Sequence, residues 1–184
     1  MKRFLTIATS FAFALGVMGG DAHAGSTPNT SFDKAMAKLL GPYGEIHRAL
    51  AADKTQGVTK AAERIAKGIR GLKASAKAIK GKHAKHYAAL PAKLRKAAKT
   101  LIAAKGIKAQ REAFKALSRP MALWATLSKP AGVNVVFCSM AKGSWLQTKK
   151  VIANPYYGAS MLRCGQIIGG KHKGHASGHM GPKH

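Results

Sequence analysis

The chain has 184 residues, 46% of them apolar, with 32 Lys and Arg against 6 Asp and Glu, for a formal net charge of +26. The apolar share excludes disorder through low hydrophobicity, and the length suits one compact domain or at most two. Six acidic residues leave little for a glycosidase pair or a magnesium site, 7% aromatics argue against a stacking platform for single-stranded nucleic acid, and two cysteines exclude a disulfide-dense mini-protein and a four-cysteine zinc site.

Met1-Lys2-Arg3, the apolar run Phe4 to Met18 and the small residues of Ala22-His23-Ala24 read as a cleavable secretory signal peptide over residues 1–24. The run is short of the ~20 residues that span a bilayer, and no later segment comes near that length. The expected location is therefore periplasmic or secreted, which makes nucleic acid an improbable partner for the positive charge. Residues 25–30 form a polar linker. From there Phe32, Met36, Leu39, Tyr43, Ile46 and Leu50 recur at spacings of four and three, the stripe of an amphipathic helix. Ser31 is its expected N-cap, and Gly41-Pro42 predicts a kink or break. A second stripe, Val58, Ala62, Ile65, Ile69, Leu72, Ala76 and Ile79, predicts one long helix with Lys60, Arg64, Lys67, Lys73, Lys77 and Lys80 on another face. The third helix, from His83 to about Ala104, carries Tyr87, Leu90, Leu94, Ala97 and Leu101, with Pro91 expected in the first turn of its better half. The fourth follows Lys105-Gly106 with Ile107, Phe114, Leu117, Met121, Trp124 and Leu127, and Pro120 is an expected kink.

The fold class is thus expected to be mainly α. It is an antiparallel four-helix bundle-like domain over residues 31–168, with an irregular C-terminal segment packed on it and a disordered tail over 169–184. Residues 60–119 hold 18 Lys and Arg against two Glu, a local net of +16. Such a face is either a solvated helix surface or an electrostatic dock for an anionic envelope surface. After Lys129-Pro130 the composition changes: acids vanish, and both cysteines, Trp145, Tyr156 and Tyr157 are gathered together. Val133 to Phe137 reads as a short strand with Val133, Val135 and Phe137 on one side.

Cys138-Ser139-Met140 and Met161-Leu162-Arg163-Cys164 each offer a thiolate and a thioether. Two soft sulfurs from each of two loops suit Cu(I) or Ag(I), because polarisable ligands favour soft monovalent ions. The competing reading is a Cys138–Cys164 disulfide in an oxidising compartment, with the methionines as core filler.

Gln110 to Ser118, Phe137-Cys138-Ser139-Met140-Ala141, Ser144-Trp145-Leu146-Gln147, Asn154-Pro155-Tyr156-Tyr157-Gly158 and Met161-Leu162-Arg163-Cys164-Gly165 together resemble a bacterial domain of unknown function. That domain occurs alone in exported proteins and at the C-terminal end of periplasmic adaptor subunits of heavy-metal (copper/silver) efflux systems. The resemblance covers roughly residues 31–168. It implies a helical domain, a role in metal binding or efflux with efflux or resistance components as partners, and no enzymatic activity. By matching position, Cys138, Met140, Met161 and Cys164 correspond to the family's Cys-Pro-Met and Met-x-x-Cys elements, with Ser139 in place of the usual Pro. Trp145, Asn154, Pro155, Tyr156, Tyr157 and Gly158 are expected to be structural: the aromatics order the sulfur loops and Asn154 caps a turn.

The tail offers His172, His175, His179, Met180 and His184, a weaker site for a divalent Cu, Ni or Zn ion. His83 and His86 sit on a Lys-rich face and are read as exposed, and His47 has no reading from sequence. No Ser/His/Asp spacing stands out, so an enzyme is not expected. The expected function is Cu(I)/Ag(I) buffering or delivery; the alternative is a basic envelope structural or interaction protein, disulfide-bonded, that binds anionic surfaces.

Overall fold

All six positions of the first apolar stripe are buried, Phe32, Met36, Ile46 and Leu50 completely, but they are divided between two helices, α1 (Ser31–Lys38) and α2 (Leu40–Ala51), with Leu39 at the junction. In this computed structural model, which describes residues 30–168, the break falls at Leu39, just ahead of Gly41-Pro42. Pro42 then sits in the first turn of α2, where its missing N–H would have had no partner anyway. The N-cap is Thr30 rather than Ser31. Thr30 is extended and its Oγ1 accepts the Asp33 N–H at 3.0 Å, while Ser31 is already helical. The expected signal peptide (1–24), most of the linker and the histidine tail (His172, His175, His179, Met180, His184) lie outside the described residues.

The second stripe is buried from Val58 to Ala76, with Ile79 half-buried. It is carried by α3 (Val58–Gly68), a 3-10 turn over Ile69–Gly71 and α4 (Leu72–Ala78), not by one unbroken helix. The tightening lies between Gly68 and Gly71, both costly to a regular helix. The facing element α5 (Ala84–Ala103) runs straight through Pro91, which lies mid-helix instead of in a first turn. Fully burying Leu90, Leu94 and Leu101, each contributing about 1.5–3 kcal/mol, outweighs the ~3 kcal/mol penalty of an interior proline. α6 (Gly106–Ser128) likewise passes through Pro120 and buries Phe114, Leu117, Met121 and Trp124.

The helices pack as α2 on α3 and α6, α3 on α5, α4 on α5 and α1, and α5 on α6. Asp33 pins the start of α1 to this assembly. Its Oδ1 accepts Trp124 Nε1–H at 2.8 Å and Ser128 O–H at 2.6 Å, and Ser128 in turn pairs with Tyr87 OH at 2.9 Å. None of the described helices is long and apolar enough to cross a membrane.

The segment expected to be irregular is instead organised by a three-stranded antiparallel sheet, ordered β2-β1-β3, of β1 (Asn134–Cys138), β2 (Gly143–Gln147) and β3 (Gln166–Ile168). β2 packs on α6. The strand over 133–137 exists one residue later, and its most buried residues are Val136 and Cys138, not Val133 and Phe137, which are half-buried. Pairing between two neighbours makes β1 the central strand, so Val135 is covered as well. Tyr43 joins sheet to helices: its hydroxyl pairs with Ser118 Oγ at 2.7 Å and accepts the Leu146 N–H at 3.1 Å.

Candidate functional site

β1 ends on Cys138, which is 1% exposed, and a tight turn over Ser139–Lys142 leads into β2. The turn is braced from two directions, Tyr157 OH donating to Met140 O at 3.2 Å and Lys115 Nζ to Ala141 O at 3.3 Å, and Tyr156 OH holds the start of β2 through Ser144 O at 2.5 Å. The chain returns through a loop, a 3-10 turn over Gly158–Met161, and Cys164. β3 pairs Phe137 with Gln166, so extending the register by one pair sets Cys138 opposite Gly165, beside Cys164. Gly165 is needed there. It has φ +148°, and a Cβ would lie 2.7 Å from Trp145 Cη2 and 3.1 Å from Val136 Cγ1.

Asn154, fully buried, fixes the return. Its Nδ2 donates to Cys164 O at 2.8 Å, its Oδ1 accepts Tyr156 N–H at 2.8 Å, and its own N–H reaches Leu162 O at 2.8 Å. The two cysteines, 26 positions apart, therefore meet as free thiols, Cys138 buried and Cys164 half-buried. Burial raises the Cys138 thiol, but the donors around it more than compensate: the Cys164 thiol, the N–H groups of Ala141 and Met140, and the Asn154 side chain leave it below its ordinary value. Cys164 is pushed up, first by the hydrogen bond it donates to Cys138, then by burial and the Cys138 charge. The two thiols thus titrate as a pair, and the Ala141 N–H, 3.4 Å from Cys138 Sγ, favours the charge on that sulfur.

The thioethers stand further out. Met140 is 62% exposed at the turn and Met161, half-buried, closes the 3-10 turn. Among the described residues no three His, Cys, Asp or Glu side chains converge on one point. Each methionine is close in sequence to one of the two cysteines, Met140 two residues after Cys138 and Met161 three before Cys164. His83 is half-buried and His86 exposed, with ring centroids 6.0 Å apart. Trp145 is fully buried, its ring edge-on to Tyr156 at 5.6 Å.

Several struts were not legible from sequence. Arg111 reaches Pro155 O (3.2 Å), Leu50 O (2.9 Å) and Asp53 Oδ1 (2.5 Å), and Asp53 Oδ2 accepts the Ala159 N–H at 2.9 Å, tying the return loop to α2 and α6. Gln147 accepts from Trp145 Nε1 and Ala153 N and donates to the carbonyls of Lys149 and Val151. His47, 7% exposed, has Nε2 at 2.7 Å from Ala153 O and therefore donates from that nitrogen.

Burial, and to a lesser degree the Arg48 charge, lower the His47 pKa against the opposing pull of the Ala153 carbonyl. The unfolded chain then binds the proton more readily than the folded one. Stability should rise with pH up to about 6.5 and be lost as pH falls below it, by at most about 1.4 kcal/mol per pH unit. His47→Gln keeps a donor without titrating. Subtracting its urea-midpoint profile between pH 5 and 7.5 from that of the wild type isolates this slope, and identical profiles would remove His47 as its source.

Residues 39–131 match the family described as "Protein of unknown function (DUF3347)". The chain belongs to that family. The match spans just over half the chain, from the end of α1 through α6, and stops short of β1. Of the residues that carry the resemblance to exported and efflux-associated domains, Gln110 to Ser118 fall inside it, whereas Cys138, Met140, Met161 and Cys164 lie beyond it. No curated protein and no solved structure matches this DUF3347 chain.

Proposed function

We propose that this DUF3347 protein is exported and binds Cu(I) or Ag(I) between Cys138 and Cys164, buffering the ion or delivering it to an efflux or resistance component. The observation that carries the reading is the meeting of two free thiols, one with its pKa held down by surrounding donors. A thiolate is the form that binds metal, and soft sulfur selects a soft ion. Met140, already at the surface, and Met161 are the third and fourth ligands, so the ion can change coordination as it arrives and leaves. The helical core is a bundle that presents this end. The histidine tail (His172, His175, His179, Met180, His184) collects divalent ions more weakly. No bond is made or broken, so the protein is not an enzyme.

The test uses reduced, anaerobic full-length protein with the four tail histidines changed to Asn. Competition with a Cu(I) chelator should give one tight equivalent, and Cys138→Ser with Cys164→Ser should weaken it by about 100-fold or more, beyond what loss of an outer-shell partner causes. Unchanged affinity in the double variant overturns the reading.

A second reading is favoured by a separate observation. Lys60, Lys67, Lys73, Lys77, Lys93, Lys96 and Lys99 are all exposed on α3, α4 and α5, and among the described residues the one ion pair these helices make is Arg64–Glu45. A surface of that charge would dock on anionic lipid in a salt-dependent manner. Vesicle binding that survives the double cysteine variant and collapses in high salt supports it.

A further inference from the structure

Between α2 and the 148–153 loop lies an open cavity of about 710 Å³ that the cysteine site does not touch. Its walls are apolar, with Leu40, Tyr43, Ala51, Leu146, Val151 and Leu162 among them. Val151 is 62% exposed, one of three large apolar side chains left facing solvent among the described residues. The volume lies within the ~300–1,000 Å³ range of small-molecule sites. It is held open rather than left by loose packing. Gln147 fastens the 149–153 wall through three hydrogen bonds, and His47 ties Ala153 back to α2. On the α2 side Gly41 and Gly44 keep the space clear; beyond a Cβ at Gly44 the nearest atom would be the Arg48 guanidinium, 3.2 Å away.

Three charged residues line the cavity: Glu45, Arg48 and Lys149. The Glu45 carboxylate is engaged by Arg64. Arg48 and Lys149 make no ion pair among the described residues, so the rim is cationic while the interior is apolar. We infer that this cavity binds a single-chain acyl anion, its hydrocarbon lying along Leu40, Val151 and Leu162 and its carboxylate meeting Arg48 and Lys149. An alcohol of the same length would bury the same chain without that charge-assisted pairing, and a cationic amphiphile would be repelled.

Dodecanoate, titrated below its micelle concentration into the full-length protein, is the probe, read by backbone amide NMR shifts. Saturable shifts at Gly44, Arg48, Leu146 and Val151 are expected, with dodecanol binding about tenfold or more weakly, the factor set by a hydrogen bond to a charged group. Gly44→Leu should abolish binding by filling the space. It should also fold, because Leu is the better helix former and only the flexible tip of Arg48 must move. Arg48→Gln with Lys149→Gln should reduce dodecanoate to the level of dodecanol. The Cys138→Ser/Cys164→Ser protein should bind as the wild type does, which keeps this inference separable from the metal reading. The proposal is overturned if no shift saturates, if shifts spread over the lysines of α3 to α5, if dodecanol or dodecyltrimethylammonium binds as well as dodecanoate, or if only phosphatidylglycerol vesicles bind.

Discussion

Replacing Trp145 with Ala is expected to cost about 3–5 kcal/mol and to pull the two cysteines apart. The indole is fully buried and meets three separate parts of the C-terminal lobe. Its edge packs against the Tyr156 ring, and its Cη2 lies where only a glycine at 165 fits, which sets the distance at which β3 and Cys164 pass β1. Its Nε1 donates to Gln147 Oε1 at 3.0 Å, the same oxygen that accepts the Ala153 N–H. Truncation therefore opens a large cavity and strips one donor from a buried amide. Trp145→Phe keeps most of the volume and loses the donor alone, so it should cost about 1–3 kcal/mol. Urea unfolding gives the stabilities, and the rate at which Cys138 reacts with a disulfide reagent reports the site. We expect that rate to rise at least about tenfold in Trp145→Ala, because a buried thiol becomes accessible once its cover loosens. A full loss of stability with an unchanged thiol rate in the folded protein would mean that the indole does not hold Cys164 in place.

The contrast between helices and sheet shows which parts of this fold leave a trace in sequence. Helices that bury one face keep a three-and-four period, so the stripes from Phe32 to Leu50 and from Val58 to Ala76 name their buried residues correctly. Their interruptions are less visible. The break at Leu39 and the 3-10 turn at Ile69 depend on how neighbouring helices meet, and Pro91 is tolerated because of what surrounds it. β2 leaves no alternation at all: Gly143, Trp145, Leu146 and Gln147 are all buried, since α6 covers one side and the return loop the other. β3, at three residues, is too short to carry a pattern. The candidate site was legible as residue types, two Cys-Met pairs, but not as geometry. What joins Cys138 to Cys164 is the β1–β3 register and Asn154, and neither follows from spacing. His47 and Ala153 are separated by 106 positions, so no local pattern could have paired them.

The same distinction governs the last expectation, at Gly158, the glycine of the Asn-Pro-Tyr-Tyr-Gly run. It sits at φ +58°, and an added Cβ would collide with the Arg111 guanidinium and the Asp53 carboxylate. Alanine in the left-handed region costs about 1–2 kcal/mol, and overpacking typically adds about 1–3. We therefore expect Gly158→Ala to lose about 3 kcal/mol. Removing the ion pair itself should matter much less. The Asp53 side chain is 45% exposed, and exposed pairs contribute little, so Asp53→Asn should leave the urea midpoint nearly unchanged. The difference arises because the alanine displaces Arg111 from Leu50 O and Pro155 O as well, unfastening the loop from α2 and α6 at once. Since Gly158 opens the 3-10 turn that ends at Met161, three residues before Cys164, Cu(I) affinity should fall about 10–100-fold in Gly158→Ala, as for loss of an outer-shell support, and hold in Asp53→Asn. If Asp53→Asn proves as damaging as Gly158→Ala, the carboxylate is the fastening, through its bond to the Ala159 N–H, and the glycine is incidental.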